Sequence, residues 1–438
     1  MEKKSFTKWL IALSVLVMIT IVGSGVFAKA PYDKYAGTTL TLCFPGQVQT
    51  DALKKFIPEV ERETGFKIRL DELAFMRMHE KQLLEMAKPV GGYDLISMVC
   101  FWKTEYVKPG LLAELAQFRL NAELADPEWD VEDFVPAYMG TSGLAKGTLY
   151  AIPFGAETSM LVYRKDLFDK YGLTPPDTYD EILDVSKFFA ENVPGVYGLT
   201  MRGKTGHEIG HEFLLFLSPF GGTIFDENWR PAFNKKPAIE AIEYMIEIAK
   251  YGPPGIPSFN WGAMNTSFVQ GKAALYLDAT AFGIMMDPKK SKVYDKIAFA
   301  LHPKHKVRSA ETGGFAICIP DNSAKKEAAF LLLQFLTSKE SDKRLVELGG
   351  APFRMSTVND PELQKNIPYF KVLAENLKYA NPDWRPLIPE WPEVETDHIG
   401  IALSEVLLGK KPAQEAMDAE VGPVTKIMEQ AGYYTWQK

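Results

Sequence analysis

The chain has 438 residues, of which 46% are hydrophobic and 24% charged, with a formal net charge of −7. That length exceeds what one hydrophobic core usually supports, so two domains of about 150 to 200 residues are expected. The acidic balance argues against nucleic acid or an anionic membrane as partner. Three cysteines cannot all pair, which excludes a disulfide scaffold.

At the N-terminus, Lys3, Lys4 and Lys8 precede an apolar run over 10–22, and small residues follow at Ala28 and Ala30. Charge, apolar core and small-residue cleavage site in that order predict a secretory signal peptide over 1–28. The run is shorter than the roughly 20 apolar residues of a spanning helix and ends in Gly23, Ser24 and Gly25. No lipobox cysteine follows it, since Cys43 falls inside the first predicted strand. The mature chain is expected free in the periplasm or outside the cell, and more acidic than the precursor because the leader carries net positive charge.

Beyond the leader, strands over 39–44, 67–73 and 94–100 alternate with helices over 50–64 and 76–87. This alternation predicts right-handed βαβ units and a parallel sheet covered by helices, with ligands beyond the carboxyl ends of the strands. Those ends carry Gln47 and Trp102. Cys43 and Cys100 end two of these strands; a bridge between them stands against two buried free thiols. The stretch over 150–168, YAIPFGAETSMLVYRKDLF, is the most informative of the chain. Pro153 and Gly155 bend the backbone just before Glu157, and a strand follows with Ser159, Leu161 and Tyr163 on one face and Met160 and Val162 on the other. A second βα series runs to about 301. A strand over 314–319 and a helix over 324–337 return to the first lobe, and the Pro-rich run over 381–392 makes the last crossing. The expected division is 31–154 and 304–380 in the first lobe, and 155–303 and 381–438 in the second.

Several motifs carry a resemblance: the 150–168 stretch itself, Gly198-Leu199-Thr200-Met201-Arg202-Gly203-Lys204, Gly221-Gly222 with Phe225-Asp226 and Trp229, the 268–280 stretch FVQGKAALYLDAT, and Trp384-Arg385-Pro386. Together they resemble the extracellular solute-binding proteins, family 1, which serve ABC importers, and are most similar to the branch with sorbitol- and mannitol-binding members. The resemblance implies a periplasmic-binding-protein-like α/β fold of type II, two lobes joined by crossover hinges. It implies a monomer that closes on a carbohydrate or polyol and presents it to the transmembrane subunits of an ABC permease, with no catalysis and no cofactor. In the family, the carboxylate at Glu157 faces the cleft. Where the branch often has tryptophans before the returning strand, this chain has Gly313-Gly314-Phe315.

Vicinal hydroxyls exchange water best for charged, planar partners, and sugar C–H faces pack on aromatic rings. The candidates are Glu157, Asp278, Arg202 and Arg77 for hydroxyls, Gln47 and His207 as neutral polar groups, and Trp102, Trp261 and Phe282 as platforms. Each has a bland counterpart: a cap or surface pair for the carboxylates, a domain salt bridge for Arg202, solvated helix starts for Arg77 and Gln47, core packing for the aromatics. If Glu157 and Asp278 face a wet cleft, neutralising either leaves the ligand-free protein equally stable. A rival reading rests on His207-Glu208-Ile209-Gly210-His211, which satisfies H-E-x-x-H and would bind zinc on a helix as a peptidase. Gly206 and Gly210 weaken that helix, and no third ligand follows at the usual spacing. A further rival is a binding protein for a non-carbohydrate solute.

Overall fold

The computed structural model describes residues 32–279 and 282–434, so the signal-peptide stretch and Thr280 lie outside the described residues. The first sheet is built from β1 (Thr39–Pro45), β2 (Lys67–Leu73) and β3 (Leu95–Val99), which pair in parallel. Leu40, Leu42 and Phe44 of β1 are fully buried, and the helix Val48–Thr64 lays Ala52, Leu53, Phe56 and Val60 on them at helical spacing. That helix ends where Gly65 takes a positive φ of 74°.

Two short strands, β4 (Leu144–Ala145) and β5 (Thr148–Leu149), precede β6 (Ala151–Thr158), which runs almost without break into β7 (Met160–Arg164) of the second sheet. The predicted alternation on β7 holds. Leu161 and Tyr163 pack with Phe168 and Leu275 on one face, Met160 and Val162 with Phe268 and Tyr276 on the other. The second sheet has the order β10-β7-β9-β8, where β8 is Tyr197–Thr200, β9 Ala273–Asp278 and β10 Ile297–Ala300. β8 and β9 are parallel, and β7 runs antiparallel to β9 and β10.

The first sheet departs from the parallel expectation at β11 (Thr312–Cys318), which runs antiparallel to both β3 and β6. The reason is direction of entry. The chain comes back from the second lobe at the edge where the parallel strands end, so it can only run the opposite way. Of the two readings for Cys43 and Cys100, buried free thiols hold: all three cysteines are buried and free. The register pairs Cys43 with Ile96, so Cys100 lies four residues, roughly 13 Å, further along.

Three passages join the lobes, at 158–160, 300–312 and 380–390, and they are tied to one another. Thr158 Oγ1 donates to Glu311 O at 2.7 Å, and Asn381 N donates to Ala310 O at 2.9 Å. Thr312 Oγ1 donates to Asn381 O, and Trp384 Nε1 to Thr312 O. The bend expected before Glu157 takes the form of a β-bulge: the β6–β11 register shifts between Gly314 and Ala316, and Gly155 and Gly314 both have positive φ, 82° and 78°. A Cβ on Gly314 would meet Gly155 O at 2.4 Å. Gly314→Ala is therefore expected to cost about 2 kcal/mol or more of unfolding free energy in a urea titration, from strain and overlap together.

Candidate functional site

The carboxyl ends of β1, β2 and β3 meet the start of β11 in an aromatic cluster. The helix Phe75–Met86 turns Phe75 and His79, one turn apart, onto Trp102. Phe75 stacks on the indole at 4.8 Å and His79 at 4.2 Å, so both its faces are covered and Trp102 is 3% exposed. Trp102 is thus a core residue in this conformation. The ring that reaches the second lobe is Phe101, 6.3 Å from the His207 ring and 5.4 Å from the Arg385 guanidinium. Arg77 lies on the opposite side of its helix from Phe75 and His79 and is exposed, away from the cluster. Gln47 sits at the N-terminal end of the helix Val48–Thr64 without capping it, and its buried Nε2 has no hydrogen-bond partner among the described residues.

On the second lobe, β8 and β9 fix the central pair. Their register sets Thr200 beside Tyr276, so Arg202 and Asp278, each two residues further on, come to lie opposite one another. Arg202 Nε and Nη2 donate to Asp278 Oδ2 at 2.8 and 2.6 Å, Nη1 lies 3.5 Å from Glu208, and the backbone N–H of Arg202 donates to Glu212 Oε2 at 2.9 Å. Asp278 is fully buried. Burial alone would raise its pKa, but Arg202, His211 and the Ala279 N–H together outweigh burial and bring it down to about 2. Burial, reinforced by Asp278, pushes Glu212 up to about 8, so this carboxyl holds its proton at neutral pH.

The H-E-x-x-H segment opens the helix His207–Leu217, and its two imidazoles take different partners. Their rings are 5.9 Å apart. His207 Nδ1 pairs with Glu395 Oε2 at 2.7 Å, while His211 Nδ1 lies 3.0 Å from Arg385 Nη2. Glu208 accepts from the backbone N–H of Trp261 at 3.1 Å instead of facing a metal-bound water. Both imidazoles and the glutamate of the segment are thus engaged by Glu395, Arg385 and Trp261. Burial and Arg202 favour the neutral ring of His211, while Glu311 and Asp278 favour its charged form. The Arg385 contact decides the tautomer: two N–H donors cannot face each other at 3.0 Å, so Nδ1 accepts and Nε2 carries the proton.

Trp261 begins the helix Trp261–Val269 and is half-buried, with its backbone tied to Glu208. Phe282 packs on Phe299 and Tyr369 at 5.4 and 5.3 Å and is 7% exposed, which makes it core rather than platform here. Glu157 is half-buried near the end of β6. A Cβ built on Gly313 would lie 3.7 Å from Glu157 Oε1 and 3.3 Å from Glu311 Oε1, so this glycine keeps two carboxylates side by side. Sequence reasoning missed Phe101, His211, Glu311, Arg385 and Glu395 as members of this cluster. The Trp384-Arg385-Pro386 motif was the available signal for Arg385; nothing local marked Glu311 or Glu395. A cavity of about 1340 Å³ adjoins the cluster at Arg385, lined by Tyr150, Phe225, Trp229 and Trp384, and contains none of the residues expected from sequence.

The arrangement has two lobes, three passages, and a buried polar cluster fed by all three. Residues 46–343 match the family model described as bacterial extracellular solute-binding protein. The chain belongs to that family. A mannitol-binding protein of Pseudomonas aeruginosa is 29% identical to this solute-binding protein over 81% of the chain and 85% of its own length. A probable amino-acid ABC transporter periplasmic-binding protein of Sinorhizobium fredii is 26% identical over 99% of both chains. The crystal structure of an Agrobacterium radiobacter solute-binding protein in complex with ribitol superimposes with a TM-score of 0.80 at 28% identity, over 90% of this chain and 99% of that one. The fold is that of the two-lobed periplasmic solute-binding proteins. Among the described residues, no helix of this solute-binding protein is long and apolar enough to cross a membrane.

Proposed function

We propose that the protein captures an uncharged polyol or monosaccharide between its lobes and delivers it to the transmembrane subunits of an ABC permease, without changing it chemically. The observation that carries this reading is the set of buried donors and acceptors that the cluster leaves without partners among the described residues. Arg202 faces Asp278, His207 faces Glu395, and Arg385 lies 3.7 Å from Glu311, so both guanidinium groups already have a carboxylate opposite them. Yet Arg385 Nε, His211 Nε2, Glu311 Oε2 and Glu395 Oε1 have no hydrogen-bond partner among the described residues. Donors and acceptors offered together suit hydroxyl groups, which both donate and accept. The mannitol- and ribitol-binding relatives support the same class.

The mechanism is closure about the three passages. Ligand contacts made from both lobes favour the closed state, and the permease reads that closed surface. In this reading the lobes divide near 155, 304–311 and 381, the signal peptide is removed, and the mature protein works as a monomer outside the membrane. The name of the Sinorhizobium relative motivates a second reading, an amino-acid ligand. A zwitterion would need a cation free to meet its carboxylate, and Arg202 and Arg385 already face carboxylates.

A thermal-shift panel of polyols, monosaccharides, disaccharides and amino acids separates the two, because a ligand that binds only the folded state raises its melting temperature. A polyol or monosaccharide is expected to stabilise most, and small-angle scattering is expected to show a more compact particle when it is bound. Stabilisation by amino acids alone, unchanged dimensions at saturation, or turnover of the bound sugar would count against the proposal.

A further inference from the structure

His211 is the half of the H-E-x-x-H segment for which zinc chemistry gives no use, and it stands at a constructed place. It is 4% exposed, Asp278 is fully buried and Glu311 is 2% exposed. Its Nε2 is 3.6 Å from Asp278 Oδ1 and 3.6 Å from Glu311 Oε2, both beyond hydrogen-bond length, and the three atoms lie within 4.8 Å of one another. Nε2 and Oε2 are without a hydrogen-bond partner among the described residues. Three polar atoms held that far apart can be bridged by one oxygen at about 2.8 Å from each, where direct bonds between them cannot form.

A cation would have the right number of ligand atoms but the wrong surroundings. Arg202 already occupies Asp278 at 2.6 Å, and Arg385 is 3.0 Å from His211 and 3.7 Å from Glu311. Each of the two triad carboxylates already faces a guanidinium group, so neither is free to serve a divalent ion. A neutral hydroxyl fits both demands: its oxygen accepts from Nε2–H, and its proton goes to one of the two carboxylates. Glu311 belongs to the second passage and Asp278 and His211 to the second lobe, and Glu157 of the first passage flanks the same Gly313 as Glu311. The triad therefore lies beside the carboxylate expected to meet the ligand.

We propose that His211, Asp278 and Glu311 form a receptor for a single hydroxyl of the bound polyol, adjacent to the hydroxyls met by Glu157. This rests on the polyol reading above. A solute with a carboxylate, phosphate or ammonium at that position is rejected, since it would bring an unmatched charge into a buried site.

The test uses the full mature protein, the best polyol of the thermal-shift panel, and its series of single-deoxy analogues, titrated by calorimetry. Wild type is expected to lose roughly 10- to 100-fold in affinity for one analogue of the series. His211→Gln and Glu311→Gln are each expected to lose affinity for the parent polyol by a similar factor and to bind that analogue almost as well as the parent. If both variants keep the wild-type discrimination across the series, the triad serves only the fold or holds water, and the inference falls while the polyol reading stands. If wild type binds no polyol of the panel, the polyol reading itself fails. Stoichiometric zinc in wild type that disappears in His211→Gln would overturn the hydroxyl receptor in favour of a metal site. Should His211→Gln not fold, Glu311→Gln decides, because it keeps the shape and one acceptor oxygen.

Discussion

Arg202→Ala is expected to destabilise the ligand-free protein by about 3 to 5 kcal/mol, because it strands a buried carboxylate without its counter-ion. Asp278 has no exposed surface to exchange for water, and its oxygen Oδ2 takes both guanidinium bonds. A loss of that size is a large part of the stability of an ordinary domain, so the variant is expected to unfold at low urea or to accumulate poorly. Replacing both partners together by apolar residues should cost much less than either single change, since no charge is then left buried. Urea titrations of the two single variants and the double variant measure this directly; equal losses in all three would show that packing rather than charge holds the site. Asp278→Asn falls in the same class. Read as a wet cleft carboxylate, it should leave the ligand-free protein unmoved, and the Arg202 partner reverses that expectation.

The same site sets a pH profile. Asp278 has a folded pKa of about 2, below its ordinary value, so its contribution is present above about pH 4 and is lost as pH falls through 2. Glu212 has a folded pKa of about 8, above its ordinary value, so its contribution is present below about pH 4.5 and is lost as pH rises through 8. Ligand-free stability is therefore expected to fall on both sides, with Glu212→Gln removing the alkaline limb. Melting curves at fixed ionic strength between pH 3 and 9 give the comparison; an unchanged alkaline limb in the variant would assign it to another group.

What the sequence made legible was local in the chain. The run of β1, β2 and β3 with their helices follows from apolar periodicity, and the Pro153–Gly155–Glu157 bend from backbone chemistry. The composition of the site was harder to read, because its members are brought together by register and by the passages. Arg202 and Asp278 are 76 residues apart and meet only because β8 and β9 pair as they do. Trp102 and Phe101 are neighbours at the end of β3 that point to different places, and only the helix Phe75–Met86 decides which of them is covered. Glu311 and Arg385 come from the second and third passages, where no periodicity marks a side chain, and Glu395 from the helical turn just after the third. The antiparallel β11 has the same origin, since its direction depends on the lobe the chain has just left.

Glu157→Gln is expected to weaken ligand binding by roughly 2 to 4 kcal/mol, about 30- to 1,000-fold, while shifting the melting of the ligand-free protein little. The residue stands near the end of β6, on the shortest passage between the lobes, half-buried and beside the Gly313 that it shares with Glu311. A side chain larger than hydrogen at 313 would fill the gap between these carboxylates, so the glycine keeps room for a hydroxyl-bearing ligand between them. In a closed, dry cleft a carboxylate accepting from ligand hydroxyls is worth far more than the same group in the open, wet form. The two effects therefore separate: affinity falls and ligand-free stability stays. Calorimetric titration beside melting curves measures both, and normal affinity in Glu157→Gln would move the site elsewhere. The cavity of about 1340 Å³ lined by Tyr150, Trp229 and Trp384 would then be the place to look, with Trp229→Ala as the variant expected to lose binding instead.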